Sequence, residues 1–182
     1  LRTSGLLDQA SLDEVSLWLD AHATPARLAD ELVSRGKLSQ WQSEQILAGR
    51  AGFYLGKYKL LDQLGKGGMG VVYKALQTMT GRVMALKVMS RKLMANPVAA
   101  ARFQREVKLI ASLNHPNIIT AYDADFVDDT YFLVMEFCEG RDLKAWLDEY
   151  GQLSIDWACD CIRQAALGLQ HAHERGMVHR DI

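Results

Sequence analysis

Cysteine is scarce: only Cys138, Cys159 and Cys161 occur in 182 residues. An odd count with no pair of Cys-x-x-Cys motifs argues against a disulfide framework and a structural zinc site, and fits a reducing cytosol. Cys159 and Cys161 sit two apart on one helical stretch, so they face different directions and cannot share a metal. An excess of charge is also missing. Lys plus Arg number 21 against 22 Asp plus Glu, a net charge of −1. The balance is −2 in residues 1–50 and +1 in residues 51–182. That argues against a nucleic-acid binder, which is usually basic. No apolar run approaches the ~18 residues that span a bilayer. There is no signal peptide, and the chain opens Leu-Arg-Thr-Ser-Gly without a Met, as expected of a piece of a longer protein. No internal repeat or low-complexity tract occurs. Apolar residues make up 49%, enough for a packed core. At about 150 residues per domain, the length is one domain with a remainder.

That remainder reads as a helical N-terminal extension, residues 1–50. Ser11 and Glu14 have capping-box spacing ahead of Leu12, Val15, Trp18 and Leu19. Thr24 and Pro25 read as cap and first helical residue, Leu28, Leu32 and Val33 line a face, and Gly36 ends it. Ser39 with Gln42 makes a second capping box before Trp41, Ile46 and Leu47, with Gly49 as terminator. Helices this short must pack together or on a neighbour. Residues 51–57 read as a linker or a first contact strand. Strands are expected over Tyr58–Leu64, Val71–Leu76 and Arg82–Met89. Asn96 and Pro97 open a helix to about Leu113. Two more strands, Ile118–Asp123 and Tyr131–Phe137, flank a turn at Asp128-Asp129. A short helix covers Asp142–Asp148. A longer one follows Ser154, with Ile155, Ala158, Ile162, Ala165, Leu169 and Ala172 on its face.

The chemistry begins at Leu64-Gly65-Lys66-Gly67-Gly68-Met69-Gly70, where Gly65, Gly67 and Gly70 spell G-x-G-x-x-G. Backbone without side chains can approach phosphates, and its N–H groups can bond their oxygens. Alone, the pattern equally fits an ordinary glycine-rich turn. A dinucleotide fold needs a helix straight after it. Here Val71-Val72-Tyr73-Lys74-Ala75 is strand composition, so the loop reads as a hairpin lid. In the next strand Val83, Ala85 and Lys87 share a face. An ammonium on an apolar strand needs a partner or a ligand, and Ala85 is small enough to admit a flat ring beside it. Taken alone, Lys87 also fits an edge-strand lysine reaching solvent. On the following helix Phe103, Val107 and Ile110 form an apolar stripe with Glu106 at its inner edge. A Lys87–Glu106 pair is expected, and a solvated glutamate is the plainer alternative. His171 and His173 read as packing or surface residues.

In this order the motifs resemble the protein kinase family, from about Tyr58 to Ile182. Gly65, Gly67, Gly70 and Val72 match the glycine-rich loop over ATP, Lys87 the strand lysine on the α- and β-phosphates, and Glu106 its helix partner. Asn114-His115-Pro116-Asn117-Ile118 matches the approach to the fourth strand, and Val134-Met135-Glu136-Phe137-Cys138 the hinge. The resemblance implies ATP contacts from Leu64, Lys66, Gly68, Met69 and Ala85. It places Met135 as gatekeeper, the Glu136 and Cys138 backbones at the adenine edge, and Asp142 at the ribose. Read by themselves, Met135 also fits strand core and Asp142 a helix cap. His179-Arg180-Asp181 matches the catalytic loop, with Asp181 as base.

The fold implied is α+β: the extension 1–50, a linker 51–57 and a partial kinase domain 58–182. The domain comprises a small lobe (58–135, a five-stranded antiparallel sheet plus one helix), a hinge (136–141) and the first large-lobe helices (142–182). The family's catalytic lysine and asparagine past Asp181, and the Asp-Phe-Gly that holds Mg²⁺, fall beyond Ile182. The implied activity is transfer of the ATP γ-phosphoryl to protein hydroxyls, with Mg²⁺ ligands past residue 182. The protein substrate is not identified, and the 182-residue chain alone is expected to be inactive. The long helix is expected to leave an apolar face uncovered. The glycine-loop style and Ile182 resemble bacterial eukaryotic-like serine/threonine kinases. The rival readings are a pseudokinase or ATP-binding scaffold, against which Lys87, Glu106 and Asp181 argue, and a nucleotide-binding oxidoreductase, against which the strand after the glycines argues. The extension resembles small helical extensions on such bacterial kinases. Its apolar faces, with Trp18 and Trp41, contact the small lobe or a partner, or serve as a structural appendage.

Overall fold

The computed structural model describes residues 4–18 and 24–179. Of the residues singled out above, Leu19, Arg180, Asp181 and Ile182 lie outside it, as does the side chain of Trp18. Three helices come first: α1 (Gln9–Trp18), α2 (Pro25–Ser34) and α3 (Gln40–Leu47). Helix α1 starts earlier than the Ser11–Glu14 spacing predicts. The Asp8 carboxylate accepts the Ser11 N–H at 2.8 Å, so Ser11 lies inside the first turn. A carboxylate accepts that bond well and also meets the positive end of the helix dipole. Thr24 Oγ1 accepts from the Arg27 N–H at 3.3 Å, and Ser39 and Gln42 form the expected capping box in both directions.

These helices close over Leu6, Leu7, Val15, Leu32, Leu38 and Phe53. Phe53 is only 1% exposed, so the stretch 51–57 contributes to the core. Gly56, with φ of 54°, turns the chain, and β1 (Tyr54–Leu55) folds back onto β2 (Tyr58–Gly67). The five strands expected of residues 58–135 are therefore present, and β1, one of the two readings of 51–57, adds a sixth at the edge of the sheet. Its order is β1-β2-β3-β4-β6-β5, with β3 (Gly70–Gln77), β4 (Val83–Met89), β5 (Ala121–Val127) and β6 (Thr130–Glu136), every neighbour antiparallel. A two-residue strand carries too little periodicity to stand out in a sequence. Phe53→Ala is expected to cost about 3–4 kcal/mol by urea denaturation, as a core aromatic does, whereas a linker position would change stability by less than about 0.5 kcal/mol.

Two one-sided expectations shift. A one-turn helix, α4 (Arg91–Met94), precedes α5 (Pro97–Ala111). Arg91 ties it to the hairpin opposite, donating to the Asp128 carbonyl at 2.9 Å. Strand β5 begins three residues later than Ile118, because residues 115–118 are committed elsewhere. The Ile118 N–H bonds the His115 carbonyl at 3.0 Å, and the Asn117 side chain donates to Gln164 of α7 (Ile155–Glu174) at 2.9 Å. The approach is so close that a Cβ on Gly168 would lie 2.8 Å from the Asn117 carbonyl oxygen. The β5–β6 turn falls at Asp128-Asp129 as expected, with φ of 48° and 57°, the two left-handed residues of a tight hairpin. Helix α6 (Leu143–Tyr150) lies between β6 and α7.

Along α7, Ile155, Ile162 and Leu167 are exposed, as is Val178 beyond it. No helix among the described residues is long and apolar enough to cross a membrane. On the same helix, His171 stacks on His115 with ring centroids 4.9 Å apart. Burial, then the Arg175 guanidinium and His115, push the His171 imidazole below its ordinary 6.5. The folded state thus favours the neutral ring, and Glu174 only partly offsets this. Its contribution to stability is complete above the unfolded value and is lost as pH falls below it. Thermal melts at pH 7.5 and 5.5 are expected to show a loss on acidification that His171→Asn reduces; equal losses in both proteins would refute this.

Candidate nucleotide site

Strands β2 and β3 stay paired to their tip: Gly65 faces Val72, Lys66 faces Val71, and Gly67 faces Gly70. Gly68 and Met69 make the turn. A register shift between Gln63 and Gly65 lets exposed Leu64 out of the ladder. The tip is held by the Ser90 N–H, which donates to the Met69 carbonyl at 3.0 Å. The glycines divide into two kinds. At Gly70 a Cβ would lie 2.0 Å from the Val88 carbonyl oxygen, so the β3–β4 contact itself requires glycine. At Gly65, Gly67 and Gly68 a Cβ would meet nothing within 4 Å, and none of the three has a positive φ. The fold makes no demand for glycine there. Their effect is to leave bare backbone along the hairpin, a cradle that fits phosphate oxygens.

Residues opposite one another in an antiparallel ladder share a face. Val72 is opposite Lys87, which is opposite Leu133; Lys74 is opposite Ala85, which is opposite Met135. Four residues picked from the sequence, Val72, Ala85, Lys87 and Met135, therefore line one face. Lys74 and Leu133 join them, and the sequence pattern alone does not flag either; the register that brings them in is set by the turns. Lys74 also lies over the Phe137 ring, 4.6 Å from its centroid. The other face carries Ala75, Met84, Leu86, Phe132 and Val134, buried with Tyr58 and Leu60, and Trp41 packs against it. One face is thus filled by core, while the face bearing half-buried Lys87 is not.

Lys87 and Glu106 are not brought together. Among the described residues no ion pair joins them. Glu106 is exposed and makes an interaction of its own. Helix α5 packs on the sheet through Phe103, whose ring meets Tyr131 with centroids 6.1 Å apart. Phe103, Val107 and Ile110 are the less exposed positions of its stripe. That rotation leaves Glu106 on the solvent side of the stripe instead of its inner edge.

At the far end of β6, the Glu136 N–H donates to the Thr120 carbonyl at 2.9 Å, and its Oε2 accepts from the Thr120 N–H at 3.3 Å. Thr120 thus supports the end of β6 through a contact that sequence spacing does not reveal. Cys138 is exposed just beyond. Asp142 caps α6, accepting the Ala145 N–H on Oδ1 at 2.7 Å. His179 is exposed, and Asp181 lies outside the described residues. Among the described residues no three His, Cys, Asp or Glu side chains are grouped to hold a metal ion.

Residues 58–182 match the family model for the protein kinase domain. The chain belongs to the protein kinase family. It is similar to serine/threonine-protein kinase PknD of Mycobacterium tuberculosis, 39% identical over 133 residues, which cover 73% of this chain and 20% of that protein. It is also similar to serine/threonine-protein kinase PrkC of Bacillus subtilis, 37% identical over 127 residues, covering 70% of this chain and 20% of that one. The chain thus spans about a fifth of the length of these curated relatives. Among solved structures, the M. tuberculosis PknI kinase domain matches with a TM-score of 0.61 and 30% identity over 70% of this chain and 51% of that one. Rad53 residues 1–466 in complex with AMP-PNP match with a TM-score of 0.62 and 28% identity, over 69% and 33%. The kinase match begins at Tyr58, so helices α1 to α3 and strand β1 precede it.

Proposed function

We propose that this chain is the ATP-binding portion of a serine/threonine protein kinase that phosphorylates protein hydroxyls. The observation that carries the reading is the shared face: Val72, Ala85, Lys87 and Met135 lie together beside a hairpin whose Gly65, Gly67 and Gly68 the fold does not require. The nucleotide supplies the phosphoryl group. The Leu64–Gly70 backbone, with Lys66 and Met69, covers the phosphates, and Lys87 neutralises the α- and β-phosphate charge. Val72, Ala85 and Met135 enclose the base, and the Glu136 and Cys138 backbones meet its edge. Asp142 receives the ribose hydroxyls on the carboxylate oxygen that does not cap α6.

In the full-length enzyme, Asp181 takes the proton of the acceptor hydroxyl. The hydroxyl oxygen bonds the γ-phosphorus, the bond to the bridging oxygen breaks, and ADP leaves. Glu106 steadies Lys87 once α5 turns its inner edge to the sheet. The arrangement without that pair is then the off position of a switch. The 182-residue chain binds nucleotide without turning it over, because these residues include no Asp-Phe-Gly to hold the metal. The scaffold alternative draws on one observation, the unformed Lys87–Glu106 pair.

Titration of this chain with a fluorescent ATP analogue is expected to show saturable binding that ATP reverses. Radiolabelled ATP is expected to label a serine or threonine substrate only with the full-length protein. Turnover by the 182-residue chain, or no competition by ATP, would overturn the proposal. Full-length protein that binds ATP without transferring phosphate would establish the scaffold.

A further inference from the structure

The glycine hairpin is anchored from outside the kinase match. Strand β1 pairs with β2 only at Tyr58 and Lys59, and the outer edge of β2 beyond that point is covered by the first turn of α3. A buried strand edge needs partners for its carbonyls. The Leu60 N–H donates to the Phe53 carbonyl at 2.8 Å. The Leu60 carbonyl accepts from Gln42 Nε2 at 2.6 Å. A bulge between Leu60 and Asp62 leaves Leu61 without a partner on β3, and its carbonyl accepts from the Ser39 hydroxyl. Gln42 is 2% exposed. Ser39 and Gln42 also form the capping box of α3, so one reciprocal pair starts a helix and grips two successive carbonyls. Beside them Trp41 stands edge-on to Phe53 at 5.9 Å and tilted on Tyr73 at 5.6 Å.

The grip falls where it controls the lid. Leu61 lies three residues before Leu64, where the phosphate cradle begins. From Asp62 to Gly68 the β2 arm is largely exposed and carries a second register shift. Apart from the β3 ladder, its described ties are α3 at the stem and the Ser90–Met69 bond at the tip. A bulge sets the local bend and twist of a strand, so whatever fixes the bulge fixes how the arm leaves the sheet.

We propose that Ser39 and Gln42 are positioning residues for the nucleotide: by holding the β2 bulge they set the glycine hairpin over the face that bears Lys87. This rests on the ATP-binding reading above. The helical extension is then a working part of the site, and its loss weakens nucleotide binding without touching a residue that contacts the nucleotide.

Four variants of the full-length kinase test this. Ser39→Asp still caps α3 but cannot donate to the Leu61 carbonyl. Gln42→Leu leaves the Leu60 carbonyl unpaired. Ser39→Thr keeps both bonds. Leu32→Ala, at a fully buried position of the helical core, loosens the extension without touching β2. Ser39→Asp and Gln42→Leu are expected to raise KM for ATP roughly fivefold, the scale of a buried hydrogen bond lost. They leave kcat within about twofold, the mark of lost ground-state binding. Amides 62–69 exchange faster in both. Ser39→Thr behaves as wild type, and Leu32→Ala lowers Tm with KM unchanged. An unchanged KM in Ser39→Asp and Gln42→Leu overturns the proposal, as does an equal rise in Leu32→Ala. If Gln42→Leu does not fold, Ser39→Asp against Ser39→Thr decides. If wild type shows no turnover, the kinase reading fails, and the 62–69 exchange rates still decide whether α3 holds the hairpin.

Discussion

Lys87→Met in the full-length enzyme is expected to lower kcat/KM at least about a hundredfold, the scale set by removing one charged group from a transition state, with Tm nearly unchanged. The structure explains why the two effects separate. Lys87 sits on β4 between Val72 and Leu133 in register. Met has a similar length and is apolar, so it packs between those neighbours as the lysine stem does. No ion pair among the described residues depends on Lys87, so its removal strands no partner. What Met cannot supply is the point charge. Lys87→Arg restores the charge but in a planar fork with other geometry, and only partial recovery is expected. Phosphate-transfer kinetics and a thermal melt on the same preparations check both halves. Full activity in Lys87→Met would remove Lys87 from the site.

Gly70→Ala is expected to destabilise the chain by about 3 kcal/mol or more, the range of overpacking against rigid surroundings. The added methyl would stand 2.0 Å from the Val88 carbonyl oxygen and 3.1 Å from the Met89 Cα. Both obstacles are backbone, so no side chain can rotate away. Relief requires β3 to part from β4 at the Gly70–Met89 and Val71–Val88 pairs. Gly67→Ala is the contrast: nothing lies within 4 Å of the new methyl, and a cost under about 1 kcal/mol is expected, with nucleotide affinity reduced instead. Urea denaturation and nucleotide titration of the two variants should give opposite orders. Equal destabilisation would mean that the two glycines do not differ as described.

The two glycines show where the sequence is legible and where it is not. As G-x-G-x-x-G they look alike, and the resemblance assigns both to phosphate binding. Only the approach of β4 separates a glycine the fold needs from one it leaves free. The Ser39–Gln42 capping box was readable because its partners are three residues apart. That the same two side chains hold the bulge of β2 was not, since Leu60 and Leu61 are about twenty residues away in the chain. The Ser11–Glu14 spacing misled for a local reason: Asp8 offered a stronger cap one turn earlier.

The caps at Thr24, Ser39, Asn96, Asp142 and Ser154, the Asp128-Asp129 turn and the sequence of kinase motifs are set by residues close together in the chain, and there the sequence alone sufficed, because capping, turn formation and periodicity act over a few residues. The sixth strand, the company of Lys74 and Leu133 beside Lys87, the outward rotation of Glu106 and the seating of Trp41 and Gln42 on the sheet were decided by the tertiary structure. Each depends on which surfaces meet after the chain folds back, and burying Phe53, Phe132 and Phe103 against distant partners outweighs any preference those segments carry on their own.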